Sequence, residues 1–95
     1  RGPGPALAGA LQDADCRVRQ KAAVTLSFIG PAAEAAVFQL TEALSDRDDF
    51  VREWAAYALT SMGSAAESAV PALVERLDDQ EPAVRQAASD ALVSI

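Results

Sequence analysis

The chain predicts an all-α column of stacked helix pairs, and two observations carry that prediction. The first is a period of 33 residues. Superposing Leu7–Gln39 on Leu40–Ala72 pairs 16 identical residues in 33, and Leu40–Met62 on Leu73–Ile95 pairs 10 in 23. Units of that size cannot bury their own apolar face and must stack on one another. The second is that apolar residues recur at helical spacing within each period. With 51% apolar residues in 95, drawn mostly from Ala, Leu and Val, the chain has enough to fill a core of closely approaching helices.

Each unit opens on a short helix. Its apolar ridge is Val37, Leu40 and Leu44 in the second unit and Val70, Leu73 and Leu77 in the third. Pro71 falls in the first turn, where its missing N–H costs nothing. An acidic turn follows, reading Asp13-Ala14-Asp15, then Asp46-Arg47-Asp48-Asp49, then Asp78-Asp79-Gln80-Glu81. A longer helix comes next. In the second unit Val51, Ala55, Ala58, Leu59 and Met62 fall at i, i+4, i+7, i+8 and i+11, with Asp48 placed to cap the start and Gly63 to end it. The matching stripes are Val18, Ala22, Thr25, Leu26, Ile29 and Val84, Ala88, Ala91, Leu92, Ile95.

The units divide the chain at about 1–30, 31–63 and 64–95, as one repeat domain. Ile95 falls where a helix-ending glycine should follow, and neither end has a polar capping unit. The expectation is therefore a fragment of a longer array, or self-association through the terminal repeats. Residue 1 is Arg rather than Met, which is compatible with a removed leader.

Eight basic and 14 acidic residues give a net charge of −6, the wrong sign for holding a phosphate backbone, so nucleic acid is not an expected partner. No uninterrupted apolar run approaches the length of a membrane span, so no membrane is expected either. Cys16 is alone and histidine is absent, so there is no internal disulfide, no Cys/His metal site and no base to activate the thiol. A single free cysteine suits a reducing compartment, and the expected location is cytoplasmic. The Asp-rich turn at Asp46–Asp49 lacks the alternating ligands, glycine and distal glutamate of a calcium loop. No catalytic residue, cofactor or metal is assigned.

The units resemble HEAT repeats, and most closely the short phycobilisome-lyase-type (PBS lyase HEAT-like) variety. The resemblance covers essentially the whole chain. It rests on the first-helix proline (Pro71 and Pro5, with Phe38 departing from it), the turn aspartate (Asp13, Asp46, Asp79) and the Val-Arg pair opening the long helix (Val18-Arg19, Val51-Arg52, Val84-Arg85). The Ala-Ala that follows is kept as Ala22-Ala23 and Ala55-Ala56 and becomes Ala88-Ser89. It implies a right-handed α-solenoid of three antiparallel helix pairs, with the long helices lining the concave side.

Each turn aspartate lies six residues before an arginine. Asp13, Asp46 and Asp79 with Arg19, Arg52 and Arg85 form a charge ladder, each carboxylate meeting the guanidinium of its own or a neighbouring unit. A residue shared by every copy at one register serves the stacking problem common to all of them. The turns carry eight of the 14 acidic residues, several of them as helix caps, and a basic partner would find the surplus along this edge.

Function belongs to the positions where the copies differ. One row on the long helices reads Arg17, Lys21, Val24, Phe28, then Phe50, Trp54, Tyr57, Ser61, then Ala83, Ala87, Asp90, Ser94, and holds four of the five aromatics. The core stripe is already filled, and Lys21 and Ala87 could not fill the pocket Trp54 would need, so the row is expected at the surface. Phe50, Trp54 and Tyr57, with Phe28 beside them and Glu53 and Ser61 as polar contacts, form the proposed anchor for a protein or peptide. On that basis Trp54→Ala weakens partner binding by ~2 kcal/mol or more and hardly changes stability. The expected function is a non-enzymatic interaction scaffold. The alternative implied by the repeat subtype is a bilin lyase-like subunit or chaperone acting on a phycobiliprotein.

Overall fold

The computed structural model describes residues 4–95. Six α-helices follow in order: α1 (Gly4–Ala10), α2 (Cys16–Ile29), α3 (Val37–Ala43), α4 (Asp49–Met62), α5 (Val70–Arg76) and α6 (Pro82–Ser94). Two stretches of tighter 3-10 helix, Gly30–Ala36 and Gly63–Ala69, lead into α3 and α5. The period alone did not reveal these. Ala33 (φ −95°, ψ 16°) and Ala66 (φ −96°, ψ 16°) kink them, so each short helix is reached by a bent approach.

The long helices α2, α4 and α6 pack on one another in chain order, and the short helices with their 3-10 leads form the second layer. The result is the right-handed α-solenoid of three helix pairs, 35 × 29 × 18 Å across. Leu26, Leu40, Leu44, Leu59, Leu73, Val51 and Val84 are its largest fully buried side chains. Alanines at 22, 23, 55, 56, 58, 88 and 91 of the long helices are buried, small side chains that let neighbouring helices approach closely.

Two residues of the expected core are exposed, and Thr25, Ile29, Val70, Leu92 and Ile95 are half-buried. Val18 is 38% exposed although Val51 and Val84 are sealed, and Leu77 is 40% exposed although Leu44 is sealed. The valine of a unit is covered by the unit before it, and the ridge leucine by the unit after it. Among the described residues, Val18 has no preceding unit and Leu77 no following one. The core is thus supplied by neighbours, as the physics of a stack requires.

The caps follow the sequence closely. Asp15 (φ −86°, ψ 119°) and Asp48 (φ −87°, ψ 121°) are extended N-caps, with Asp15 accepting from the Arg17 N–H and Asp48 from those of Phe50 and Val51. Glu81 holds the same backbone shape without a side-chain cap, and Pro82 presets the helical φ at the first position. Gly30 (φ 70°, ψ −142°) and Gly63 (φ 59°, ψ −135°) end the long helices in a backbone region closed to L side chains.

That glycine stop also qualifies the membrane argument. The stretch 16–43, though interrupted by polar residues, is long and apolar enough in composition to match a membrane span. Gly30 breaks it into two helices, and α2 with 14 residues is about 21 Å long, short of the ~30 Å hydrocarbon core.

Two substitutions test this packing. A Cβ on Gly63 meets nothing within 4 Å, so Gly63→Ala isolates backbone strain and should lower stability in chemical denaturation by about 1–3 kcal/mol. The Gln39 Oε1 is buried among the described residues without a hydrogen-bond donor. Gln39→Leu, which removes that orphan acceptor, is expected to raise stability by about 1 kcal/mol in the same measurement.

Candidate functional site

Two surfaces carry the polar and aromatic residues singled out by the sequence, the turn edge and the outer face of the long-helix layer. At the turn edge all three aspartates fix their own turn, and Asp46 and Asp79 also bind an arginine. The Oδ1 of each accepts the backbone N–H two residues on, from Asp15 to Asp13, Asp48 to Asp46 and Glu81 to Asp79, each at 2.9 Å. The carboxylates of Asp46 and Asp79 face the arginine of the preceding unit. Arg19 Nε donates to Asp46 Oδ2 at 2.8 Å and Nη2 to Oδ1 at 3.3 Å, and Arg52 reaches Asp79 in the same bidentate way at 2.9 and 3.1 Å.

The remaining guanidinium nitrogen turns back to its own unit. Nη1 of Arg19, Arg52 and Arg85 donates to the carbonyl of Asp13, Asp46 and Asp79 at 2.7–2.8 Å. Of the two geometries open to the ladder, the carboxylate bond crosses between units and the carbonyl bond stays within one. Among the described residues, the Asp13 carboxylate meets no arginine and Arg85 meets no carboxylate. Arg76 adds a longer contact to Asp79 at 3.4 Å.

Burial opposes the charge on Asp79, but the Arg52 bonds, the Glu81 N–H and the charges of Arg52 and Arg76 outweigh it and hold its carboxyl below the ordinary aspartate range. Asp48 behaves alike: burial pushes it up, and donors from Gln20, Phe50 and Val51 bring it below that range. The Gln20 amide reaches Asp48 at 2.7 Å, a second link between units that the sequence pattern did not expose. Arg52 is correspondingly raised, first by its bond to Asp79. Open polar depressions of about 500 and 380 Å³ lie between successive turns, walled by Arg19 and Asp46 in one and Arg52 and Asp79 in the other.

The outer face of α4 holds the rings. Phe50 and Trp54 lie with centroids 6.0 Å apart at 48°, and Trp54 and Tyr57 5.0 Å apart at 69°, edge to face. Phe50 is 41% exposed. Trp54 and Tyr57 are half-buried, packed against the core cluster that includes Ala87, so the indole is neither sealed nor free. The expectation that Trp54→Ala hardly touches stability is therefore corrected. Truncating a ring that rests on the core removes packing as well as contact area.

Phe28 is 80% exposed but makes no ring contact with the other three. The Ser61 hydroxyl donates to the Ala58 carbonyl at 2.6 Å, which leaves it only as an acceptor for a ligand. Glu53, one turn before Tyr57, is half-buried. Asp90, the residue of α6 at the Tyr57 register, stands near enough to act on that phenol. Burial first, and then the charges of Glu53 and Asp90, push Tyr57 up. Asp90 was in the variable row but outside the expected anchor. Its register, 33 residues after Tyr57, was the signal that it stands across the seam.

The family model for HEAT repeats matches residues 4–60, that for HEAT repeat matches 69–95, and that for PBS lyase HEAT-like repeat matches 51–79. The chain belongs to the HEAT-repeat family. Among solved structures it is similar to the crystal structure of an engineered protein, a Northeast Structural Genomics Consortium target, with a TM-score of 0.89 and 26% identity. The match covers 100% of this chain and 46% of that one, so the chain spans less than half the length of that protein. No curated protein matches the chain. HEAT repeats generally mediate protein–protein interaction.

The ladder makes an internal comparison available. Asp79→Asn leaves Arg52 part-buried without its carboxylate and should cost about 2 kcal/mol in chemical denaturation, whereas Asp13→Asn, at a carboxylate that meets no arginine, should cost little. Because Asp48 and Asp79 are lowered in the folded state, their contribution is complete above the ordinary aspartate range near about 4 and is lost as pH falls through their lower folded values. A thermal midpoint that is level above about pH 5 and drops below about pH 4 is expected, with a shallower drop in Asp79→Asn.

Proposed function

We propose that the chain is a non-enzymatic protein-interaction scaffold that grips a protein or peptide on the face formed by α2, α4 and α6, the concave side in the arrangement the family implies. The observation that carries this is the stacked set Phe50, Trp54 and Tyr57. The rings stand at positions filled by Arg17, Lys21 and Val24 in the unit before and by Ala83, Ala87 and Asp90 in the unit after. Stacking needs no aromatic there, because the other two units stack without one. Rings that are rigid, clustered and half-exposed bury large area at small entropic cost, which is how interface anchors work.

Phe28, Glu53 and Ser61 surround the anchor as secondary contacts, and a cytoplasmic setting belongs to the same proposal. A second use of the surface is favoured by the match of residues 51–79 to the PBS lyase HEAT-like repeat, which spans Trp54 and Tyr57. There the rings would stack a tetrapyrrole of a phycobiliprotein.

Selecting ligands for the chain from a random-peptide display library tests the first use. Binders should be weakened at least about 30-fold, ~2 kcal/mol, by Trp54→Ala and less by Phe50→Ala. Trp54→Ala should also lower stability by about 1–2 kcal/mol, while Phe50→Ala leaves it within ~0.5 kcal/mol. Binders indifferent to both substitutions would place the contact surface elsewhere. Titrating a free bilin separates the two uses, since the scaffold reading expects no change in its visible absorbance.

A further inference from the structure

The two seams between long helices are built differently on their open side. In the first, Gln20 of α2 donates to Asp48 at the start of α4 at 2.7 Å. One period later the same two positions are Glu53 and Glu81, two acceptors with no donor between them. Neither Glu53 nor Asp90 forms an ion pair among the described residues, and Lys21, exposed on α2, lies within 4 Å of no carboxylate. Glu53 precedes Trp54 in the chain and sits one turn before Tyr57, while Asp90 acts on Tyr57 from α6. The aromatic cluster therefore has unneutralised carboxylates along its α6 side.

Resting on the scaffold reading above, we propose that this half of the face is a receptor for an arginine side chain of the partner. Its guanidinium lies against the Trp54 and Tyr57 rings and donates to the carboxylates of Glu53 and Asp90. A ring face attracts a cation through its quadrupole, best for indole, and the attraction grows where water is partly excluded, as it is beside half-buried rings. A planar guanidinium both stacks on such a ring and presents several N–H donors in a fixed fork, which an ammonium does not. The partner segment is therefore a basic, arginine-bearing peptide, and the chain's net charge of −6 draws it in.

Trp54 is the sole tryptophan, so its emission reports on the site directly. The 95-residue chain is titrated with acetyl-Gly-Arg-Gly-Arg-Gly-amide, and separately with the peptide in which neutral citrulline replaces both arginines. A saturable change in Trp54 emission is expected at a concentration about tenfold lower for the arginine peptide, with the corresponding lysine peptide in between. The Glu53→Gln, Asp90→Asn double variant should lose about fivefold or more of the arginine affinity while keeping its thermal midpoint, and raised salt should weaken the wild type more than the variant. Equal binding of the citrulline peptide, an unaffected double variant, or no saturation at millimolar peptide would each overturn the proposal. If display-selected neutral peptides still depend on Trp54, the scaffold reading stands and only the arginine specificity falls. If nothing selected depends on Trp54, both fall.

Discussion

Arg19 and Arg52, near the start of α2 and α4, each join two units at once. The Nε and Nη2 of each take the carboxylate of the next turn, and its Nη1 takes the carbonyl of its own. The aspartate that receives it is already fixed by the N–H two residues on, so the acceptor is held in place before the guanidinium arrives. This clamp sets the distance and rotation between successive long helices. At that spacing Leu44, Val51 and Val84 are sealed. Net stabilisation by such an ion pair is modest, and its larger consequence is register.

A stack whose core is provided by neighbours leaves each unit with one face that packing constrains less than the rest. Val51 and Val84 are buried because a unit precedes them, and the exposure of Val18 shows the same side chain without that cover. The open face of the long-helix layer lies outside this logic. The first unit carries cations there, the second rings and the third alanine and an acid, with little change in the backbone. Sequence freedom at that face is a physical consequence of the solenoid, and it is where a family that generally mediates protein contacts can differ between members.

The two acidic regions play different electrostatic parts. In the turns, the carboxylates of Asp46 and Asp79 accept from arginine and backbone donors, and Asp48 caps α4, so their negative charge is largely spent within the fold. Around Tyr57 the charges of Glu53 and Asp90 have no cation among the described residues paired with them, and their field is felt by the phenol beside them. The face therefore offers an apolar surface and unspent negative charge in the same place.

The period, the helical spacing and the caps were all legible from residue types, because they depend on local rules. Asp48 caps, Gly63 stops and Pro71 starts a helix whatever surrounds them. The bent 3-10 leads were not legible, since Ala33 and Ala66 have no side-chain signature for a kink. The pairing of Arg19 with Asp46 rather than Asp13 depends on how far one unit is displaced from the next, and residue spacing leaves both open. The half-burial of Trp54 depends on what lies beneath it across the seam, a distance of 33 residues along the chain. Local sequence thus determined the helices and their repetition, while contacts between units, which exist only once the stack has formed, decided the ladder's direction and the depth of the rings.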